Sequence, residues 1–142
     1  MKHVSKLWPI CLIVIGLVCS GCSSTLQEEN KALVRRVMVE IDADDWEAAS
    51  KLHSPDFIYH GPHESMTGTR EELGQEIASF QSAFPDFRRE INDMVAEGDK
   101  VAFRMTGSGT YNNKPSVIKE AYFARFDNGK IVEFHNIFHI LD

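Results

Sequence analysis

Apolar side chains recur every three to four residues in three stretches of the chain, which predicts three helices. Asp44 with Glu47, and Thr69 with Glu72, have the spacing of capping boxes that open the second and third helices. Pro85 ends the third stretch, because proline cannot continue a helix. We expect the helices to bury a common apolar face that includes Leu33, Val37, Ile41, Trp46, Ile77 and Phe80.

The period of the pattern changes from 3.6 to 2 after Pro85, which predicts strands. Residues 56–60 form an earlier strand between the second and third helices. The later strands are marked by Phe87, Ile91 and Val95, by residues 101–106, by residues 117–126 and by residues 130–140. The order α-α-β-α-β-β-β-β is typical of an α+β domain with helices on one face of a mostly antiparallel sheet.

The last strand places one amide among apolar side chains. Its alternation assigns Asn136 to a face with Val132, Phe134, Phe138 and Ile140, and puts Ile131, Glu133, His135, Ile137 and His139 on the other. A buried amide without partners costs on the order of 1–3 kcal/mol, so Asn136 needs either a hydrogen bond within the fold or a ligand. Both alternatives stay open at this point.

His60 ends the first strand beside a Gly-Pro turn, a setting in which a histidine can line the mouth of a cavity and exchange protons near neutral pH. A solvated or simply packed histidine is the alternative. We expect no metal site and no cofactor. His135 and His139 are ~13 Å apart along a strand, and His60 with His63 has only Glu64 as a nearby carboxylate.

Charge and cysteine usage exclude two classes of function. Removing residues 1–21, which hold two lysines and no acid, leaves 13 basic against 21 acidic residues, a net charge of −8. An acidic domain without a basic patch repels phosphate backbones, so we expect no nucleic-acid partner. All three cysteines lie within the first 22 residues, which excludes thiol chemistry in the domain itself.

The first 21 residues have the anatomy of a secretion signal: a positive start, an apolar run shorter than a membrane span, and small residues before Cys22. The ending Leu17-Val-Cys-Ser-Gly-Cys22 resembles a bacterial lipobox, in which the final cysteine becomes the lipidated N-terminus. The resemblance implies a membrane anchor at Cys22, a polar tether over residues 22–29 and a domain over residues 30–142. No Asp follows Cys22, which favours the outer membrane or cell surface of the bacterial envelope over the inner membrane.

Several segments of the domain together resemble one family. They are Asn30-Lys-Ala-Leu-Val-Arg-Arg36, Ser54-Pro-Asp-Phe-Ile-Tyr-His60, Gly68-Thr-Arg-Glu-Glu72, Phe84-Pro-Asp-Phe87, Ala96-Glu-Gly-Asp-Lys-Val-Ala-Phe-Arg104 and Phe126-Asp-Asn-Gly-Lys-Ile-Val-Glu133. The sequences of these segments are similar to those of the SnoaL-like polyketide and ester cyclases. The resemblance implies the nuclear-transport-factor-two-like fold, a curved sheet around helices that encloses a conical cavity, often in a homodimer.

The resemblance also implies a function, with two departures. The cavity is expected to bind a small apolar molecule that bears a carbonyl or hydroxyl group, with residues Phe84, Phe103, Tyr122, Phe134 and Phe138 as its lining. Cofactor-independent cyclase, isomerase or lyase chemistry would use His60 as proton shuttle and Asn136 as hydrogen-bond donor. However, Asn136 replaces the family's acid, and the connection over residues 111–115 is short. The alternative is a non-catalytic envelope module for ligand binding or dimerisation.

Overall fold

The computed structural model describes residues 20–63 and 65–141, in which three helices pack on one six-stranded sheet. The helices are α1 (Ser20–Asp42), α2 (Trp46–Ser50) and α3 (Arg70–Ala83). The strands are β1 (His53–His60), β2 (Thr67–Thr69), β3 (Arg88–Glu97), β4 (Lys100–Tyr111), β5 (Lys114–Asp127) and β6 (Lys130–Leu141). The predicted α+β class is confirmed. Residues 1–19 of the expected secretion segment lie outside the described residues, as does Glu64. The side chain of Cys22 is likewise not described.

The strands lie in the order β2-β1-β6-β5-β4-β3, so the last strand of the chain is central. Every neighbouring pair is antiparallel except β1 with β6, which run parallel. Three antiparallel pairs are joined by tight hairpins. Asn112 and Asn113, and Asn128 and Gly129, have the positive φ angles that two-residue hairpin loops require.

Helix α1 already includes Ser20, the first of the described residues and ten residues before the predicted start, and so contains the residues of the expected tether. The good helix formers at residues 26–29 and a Glu28–Lys31 ion pair of 2.9 Å support the end of this part, whereas the small residues at 20–25 have low helix propensity. At the other end Asp44 has a φ of 60° and terminates α1, while Asp45 caps α2 by accepting a hydrogen bond from the Ala48 amide. The expected capping by Asp44 is therefore wrong by one residue.

Helix α3 begins as its sequence predicts. The Thr69 side chain accepts a hydrogen bond from the Glu72 amide, and the Glu72 carboxylate accepts one from the Thr69 amide, which confirms the capping box. Among the described residues, no helix combines the length and the apolarity that crossing a membrane needs.

Two β-bulges correct the predicted strand faces. The register of β3 with β4 shifts between Ile91 and Asp93, so that Val95 is exposed and Met94 packs against the core instead. The register of β5 with β6 shifts at Val132, so that Ile131 is fully buried on the same side as Phe134. An extra residue in one strand reverses the alternation on one side of it, which a strict period of two cannot show.

The core lies between the helices and the inner face of the sheet. Val37 and Ile41 are buried, Leu33, Trp46 and Ile77 pack against the same cluster, and the ring of Phe80 contacts other rings in the same layer. Strand β4 continues through Gly107, beyond its predicted end, because the missing side chain leaves room for the ring of Phe87. The expected common core is confirmed.

His53 is a buried histidine at the start of β1. Its Nδ1 lies 2.9 Å from the Ala49 carbonyl oxygen, to which it donates, while no hydrogen-bond partner lies near Nε2. Aromatic rings of Phe57 and Phe134 surround the imidazole at right angles. Burial lowers the pKa of His53 from its ordinary value of 6.5 to about 4, so the folded domain holds this imidazole neutral.

Acid should therefore destabilise the domain through His53. The unfolded chain binds the proton near pH 6.5, whereas the folded chain binds it only near pH 4. The contribution of neutral His53 to the free energy of unfolding is therefore fully present above pH 6.5 and is lost as the pH falls from 6.5 to about 4. Because a tenfold difference in proton affinity is worth ~1.4 kcal/mol, the loss is about 3 kcal/mol. Urea unfolding between pH 7 and pH 4 should show this loss in the parent and a smaller one in His53→Gln. His139→Gln, on the exposed end of β6, is the control and should behave as the parent.

Candidate active site in the cavity

A cavity of about 600 Å³ opens between the inner face of the sheet and helices α1 and α3. This volume is within the range of sites for small organic molecules. Most of its wall is apolar and comes from both layers of the fold, including Met38, Ile41, Ile77, Phe80, Phe84, Ile118, Phe134 and Phe138. Tyr111, at the β4–β5 hairpin, stacks on Phe84 at 4.8 Å and forms part of the lining.

One wall of the cavity is a connected chain of polar side chains. The Asn136 amide nitrogen donates to the hydroxyl oxygen of Tyr122 at 2.9 Å and to that of Tyr59 at 3.4 Å. Tyr122 in turn donates to Glu120 Oε1 at 3.1 Å. The sheet brings these groups together, because Tyr122 is the register partner of Asn136, and Tyr59 is the partner of Phe134 in the parallel pair.

Two oxygen atoms of this chain have no hydrogen-bond partner although they are buried. They are Glu120 Oε2 and Asn136 Oδ1, one at each side of the Tyr122 hydroxyl group. Because buried polar atoms are normally paired, two unpaired acceptors on a cavity wall are suited to a ligand that donates hydrogen bonds or gives up a proton.

Arg89 and Asp42 support Glu120 from the side of β3. Arg89 Nη1 donates to Asp42 Oδ1 at 2.6 Å, and Arg89 Nε lies 3.6 Å from Glu120 Oε2, too far for a good hydrogen bond. The guanidinium also lies over the rings of Phe80 and Phe87, with its carbon 5.4 Å and 4.9 Å from their centroids. Glu120 thus has one cation nearby, which is shared with Asp42.

The protonation of the site follows from its burial. Burial raises the pKa of Glu120 above its ordinary value, with the Arg89 charge and the Tyr122 hydrogen bond acting in the opposite direction. Burial also raises the pKa of Tyr122 well above its ordinary value and raises that of Tyr59. The two phenols are therefore neutral hydrogen-bond donors, and Glu120 is a carboxyl group with an increased affinity for protons.

Five of the seven expected cavity residues line the cavity: Phe84, Tyr122, Phe134, Asn136 and Phe138. Phe103 is not among the lining residues, because it is buried one layer behind, where its ring stacks on Tyr122 at 5.0 Å. The position of Asn136 is as expected, but its amide nitrogen is occupied by the two tyrosines. The atom that Asn136 leaves for a ligand is the carbonyl oxygen, which accepts hydrogen bonds.

His60 does not reach the cavity, which corrects the expected position of this residue. Phe57 and Tyr59 are the inward side chains of β1, so alternation turns Ile58 and His60 to the outer face of the sheet. There His60 Nε2 lies 3.0 Å from Glu133 Oε1. The strand residue that approaches Asn136 is Tyr59, one position earlier.

Sequence reasoning missed Glu120, Arg89 and Asp42 as residues of the site. The signal for Glu120 was present, because the alternation of β5 places it on the face of Ile118, Tyr122 and Phe126, as it placed Asn136 among apolar neighbours in β6. The signal for Arg89 and Asp42 was absent. They are 47 residues apart in the chain, and only the packing of α1 on β3 brings them together.

The fold and this cavity define the class of protein. Six curved strands wrapped on three helices around one apolar cavity form the cone of the nuclear-transport-factor-two-like fold. AclR from Streptomyces galilaeus has this fold with a TM-score of 0.73 at 24% identity, over 80% of each chain. A loop-truncation variant of IdmH has a TM-score of 0.72 at 25% identity, over 77% of this chain and 91% of its own. TerC, crystallised with polyporic acid, has a TM-score of 0.68 at 16% identity, over 78% and 92%.

The family model of the SnoaL-like polyketide cyclases matches residues 32–139, and the chain belongs to this family. No protein among the curated sequences matches the chain. Membership gives the fold and the cavity, whereas the chemistry depends on the residues of the site. Here β5 contributes the buried acid of the cavity wall, Glu120, and the central strand β6 contributes the neutral Asn136.

Proposed function

We propose that this domain binds a small apolar molecule with a carbonyl group and moves a proton beside that carbonyl without a cofactor. The observation that carries the proposal is the buried Glu120 Oε2, which accepts no hydrogen bond and lies on the polar wall of a mostly apolar cavity. Burial raises the pKa of this carboxyl group toward the range that suits a general base. TerC, which has the same fold, was crystallised with polyporic acid.

Each group of the polar wall has a role in the proposed reaction. Glu120 Oε2 removes a proton from the carbon next to the carbonyl, and the electron pair of that C–H bond moves into an enolate. The neutral Tyr59 hydroxyl donates a hydrogen bond to the enolate oxygen, and Asn136 Oδ1 accepts one from a hydroxyl group of the ligand. Return of the proton from Glu120 to another carbon completes an isomerisation. Attack of the carbanion on a second carbonyl, followed by protonation of the new alkoxide, closes a ring.

Ligand binding in the cavity is tested by filling it. Ala83, the last residue of α3, lines the cavity, whereas Ala78, which is also exposed on the same helix, does not line it. We expect Ala83→Trp to weaken the binding of a neutral apolar fluorescent dye, and its displacement by small keto esters, by at least ~10-fold, since the indole takes up space that the ligand needs. Ala78→Trp is the matched control. Equal affinities in the two variants would place the binding site elsewhere.

A second function is favoured by the outer face of the sheet. Phe123 of β5 and Ile137 of β6 are 55% and 63% exposed, and Ile58 of β1 is also exposed on this face. Adjacent exposed apolar side chains are characteristic of surfaces that associate. We propose that two copies of the domain pair through this face. Pairing would either accompany the chemistry in the cavity or, if the domain is not catalytic, be its main function. Sedimentation equilibrium at micromolar concentration should give a dimer, and a strictly monomeric species would oppose the idea.

We also propose that the domain is held at the bacterial envelope by lipid on Cys22, outside the inner membrane. The support is the sequence alone: the charged start, the apolar run and the lipobox-like ending. Cys22→Ser should move the protein from the membrane fraction to the soluble fraction of cells, because the anchor is lost. Cys11→Ser, inside the apolar run, should leave the protein with the membranes. A Cys22→Ser protein that still fractionates with membranes would exclude this anchor.

A further inference from the structure

The outer face of the sheet holds two histidines and a carboxylate that converge on one point, away from the cavity. We propose that His60, Glu133 and His135, the outer-face triad, bind a divalent transition-metal ion of the zinc class. His60 and His135 are register partners in the parallel pair of β1 and β6, and Glu133 precedes His135 by two residues on the same face. This arrangement depends on the pairing of two strands that are 70 residues apart.

The distances within the outer-face triad suit one ion. Glu133 Oε1 lies 3.0 Å from His60 Nε2 and 3.2 Å from His135 Nε2, and the three atoms lie within 4.8 Å of one another. A point equidistant from three atoms with the longest of these separations is about 2.4 Å from each, so the side chains must close in by a few tenths of an ångström to reach the ~2.0–2.2 Å of zinc–nitrogen and zinc–oxygen bonds. Two imidazoles and one carboxylate are a ligand set that zinc accepts, with the fourth position left to water or another ligand.

Neighbouring groups orient two of the three ligands. Arg125 Nε donates to Glu133 Oε2 at 2.8 Å, which leaves the other carboxylate oxygen, Oε1, directed at the two histidines. Thr67 Oγ1 lies 3.5 Å from His60 Nδ1, on the side of the ring away from the proposed ion. Partners of this kind, on the far atoms of metal ligands, fix the ligands in the binding geometry.

One local change must accompany binding. The imidazole rings of His60 and His135 are stacked, with centroids 4.2 Å apart and planes 12° from parallel. Because the lone pair of Nε2 lies in the ring plane, the two rings must turn about χ2 until both planes meet at the ion. In a single copy of the domain the side chains are 31% and 52% exposed, which leaves space for this rotation before two copies pair through this face. The ion then connects β1 to β6, the one parallel pair among the described strands.

The test uses the full chain with Cys11, Cys19 and Cys22 changed to Ser, so that thiols do not bind the metal. Zinc is titrated in competition with a coloured chelator, and Co²⁺ is added separately to record its d–d absorption. We expect one ion per chain, and a melting temperature that rises with the concentration of zinc because the ion binds the folded state. His60→Gln and His135→Gln should each weaken binding by at least ~10-fold.

His63→Gln and His139→Gln are the matched controls, since both histidines are exposed and lie outside the outer-face triad. They should bind zinc as the parent does. Melting curves without metal should coincide for all variants, which separates loss of a ligand from loss of the fold. The proposal is overturned if the parent shows no zinc binding in an assay that detects affinities ~1,000-fold weaker than those of structural zinc sites. It is also overturned if the His60→Gln, His135→Gln double variant retains the affinity of the parent. Neither result bears on the cavity, which is on the other face of the sheet.

Discussion

Glu120→Gln should lower proton transfer in the cavity by ~10²–10⁴-fold, the usual contribution of a positioned general base. An amide cannot take the proton, yet its oxygen can still accept the Tyr122 hydrogen bond that Glu120 Oε1 accepts at 3.1 Å. The side chain keeps its size, so the cavity keeps its shape. The measurement is the exchange of α-hydrogens of aryl ketones and small keto esters for deuterium, followed by NMR, which needs no knowledge of the natural product.

The control for this substitution is Glu76→Gln. Glu76 also lines the cavity, from α3, but it is solvent-exposed. In the parent, the exchange rate should increase with pH as Glu120 loses its proton, with a midpoint above the ordinary value for a glutamic acid because burial raises its pKa. Glu76→Gln should keep this profile, and Glu120→Gln should lose it. Equal exchange by the parent and Glu120→Gln would remove Glu120 from the mechanism and favour a non-catalytic binding module.

Arg89→Met should destabilise the domain by about 3–5 kcal/mol, as expected when one partner of a buried ion pair is removed. The Arg89 side chain is 11% exposed, and it is the cation next to both Asp42, at 2.6 Å, and Glu120, at 3.6 Å. Methionine fills most of the space over the rings of Phe80 and Phe87 but leaves two carboxylates without a cation. The loss should be measured by urea unfolding at pH 7.

The pH and a second variant identify the cause of that loss. The effect of Arg89→Met should be smaller near pH 4, where the two carboxyl groups that it leaves unpaired are closer to neutral. Glu120→Gln added to Arg89→Met should recover part of the stability, because it removes one of the uncompensated charges. The matched control is Arg104→Met on the outer face, whose 3.7 Å pair with Asp93 is exposed and should be worth less than ~1 kcal/mol. Similar losses at Arg89 and Arg104 would contradict the buried network.

The helices and the inward face of β4 and β5 could be predicted from sequence because their signals are local. The capping box at Thr69 joins residues three positions apart, and the alternation of Val101, Phe103 and Met105 needs only a strand. The prediction was wrong at Val95 and Ile131, where one bulged residue reverses the face. A bulge is fixed by the neighbouring strand, so the alternation of a single strand does not contain it.

The candidate site was predicted only in part, for the same reason. Asn136 was found because a lone amide stands out within one strand, and the same argument applied to β5 would have found Glu120. His60 was placed in the cavity because it ends a strand, but the strand's own alternation turns it away and brings Tyr59 inward. The inward side of β1 is decided by the burial of Phe57 against Phe134, a contact between neighbouring strands that are far apart in the chain.

The sequence by itself determined the α+β class, the three helices with one of their capping boxes, the family, and the presence of an amide on the inner face of the last strand. Each of these depends on residues that are close together in the chain, or on a sequence similarity that extends over most of the chain. Only the tertiary structure decided which groups meet. The parallel pairing of β1 with β6 joins Tyr59 to Asn136 on the inner face and His60 to Glu133 and His135 on the outer face. Packing of α1 on β3 places Arg89 between Asp42 and Glu120. Most of these contacts join residues 47 to 77 positions apart in the chain, and the contact of Arg89 with Glu120 joins β3 to β5 across the sheet. Burial then shifts the pKa values of the groups that meet.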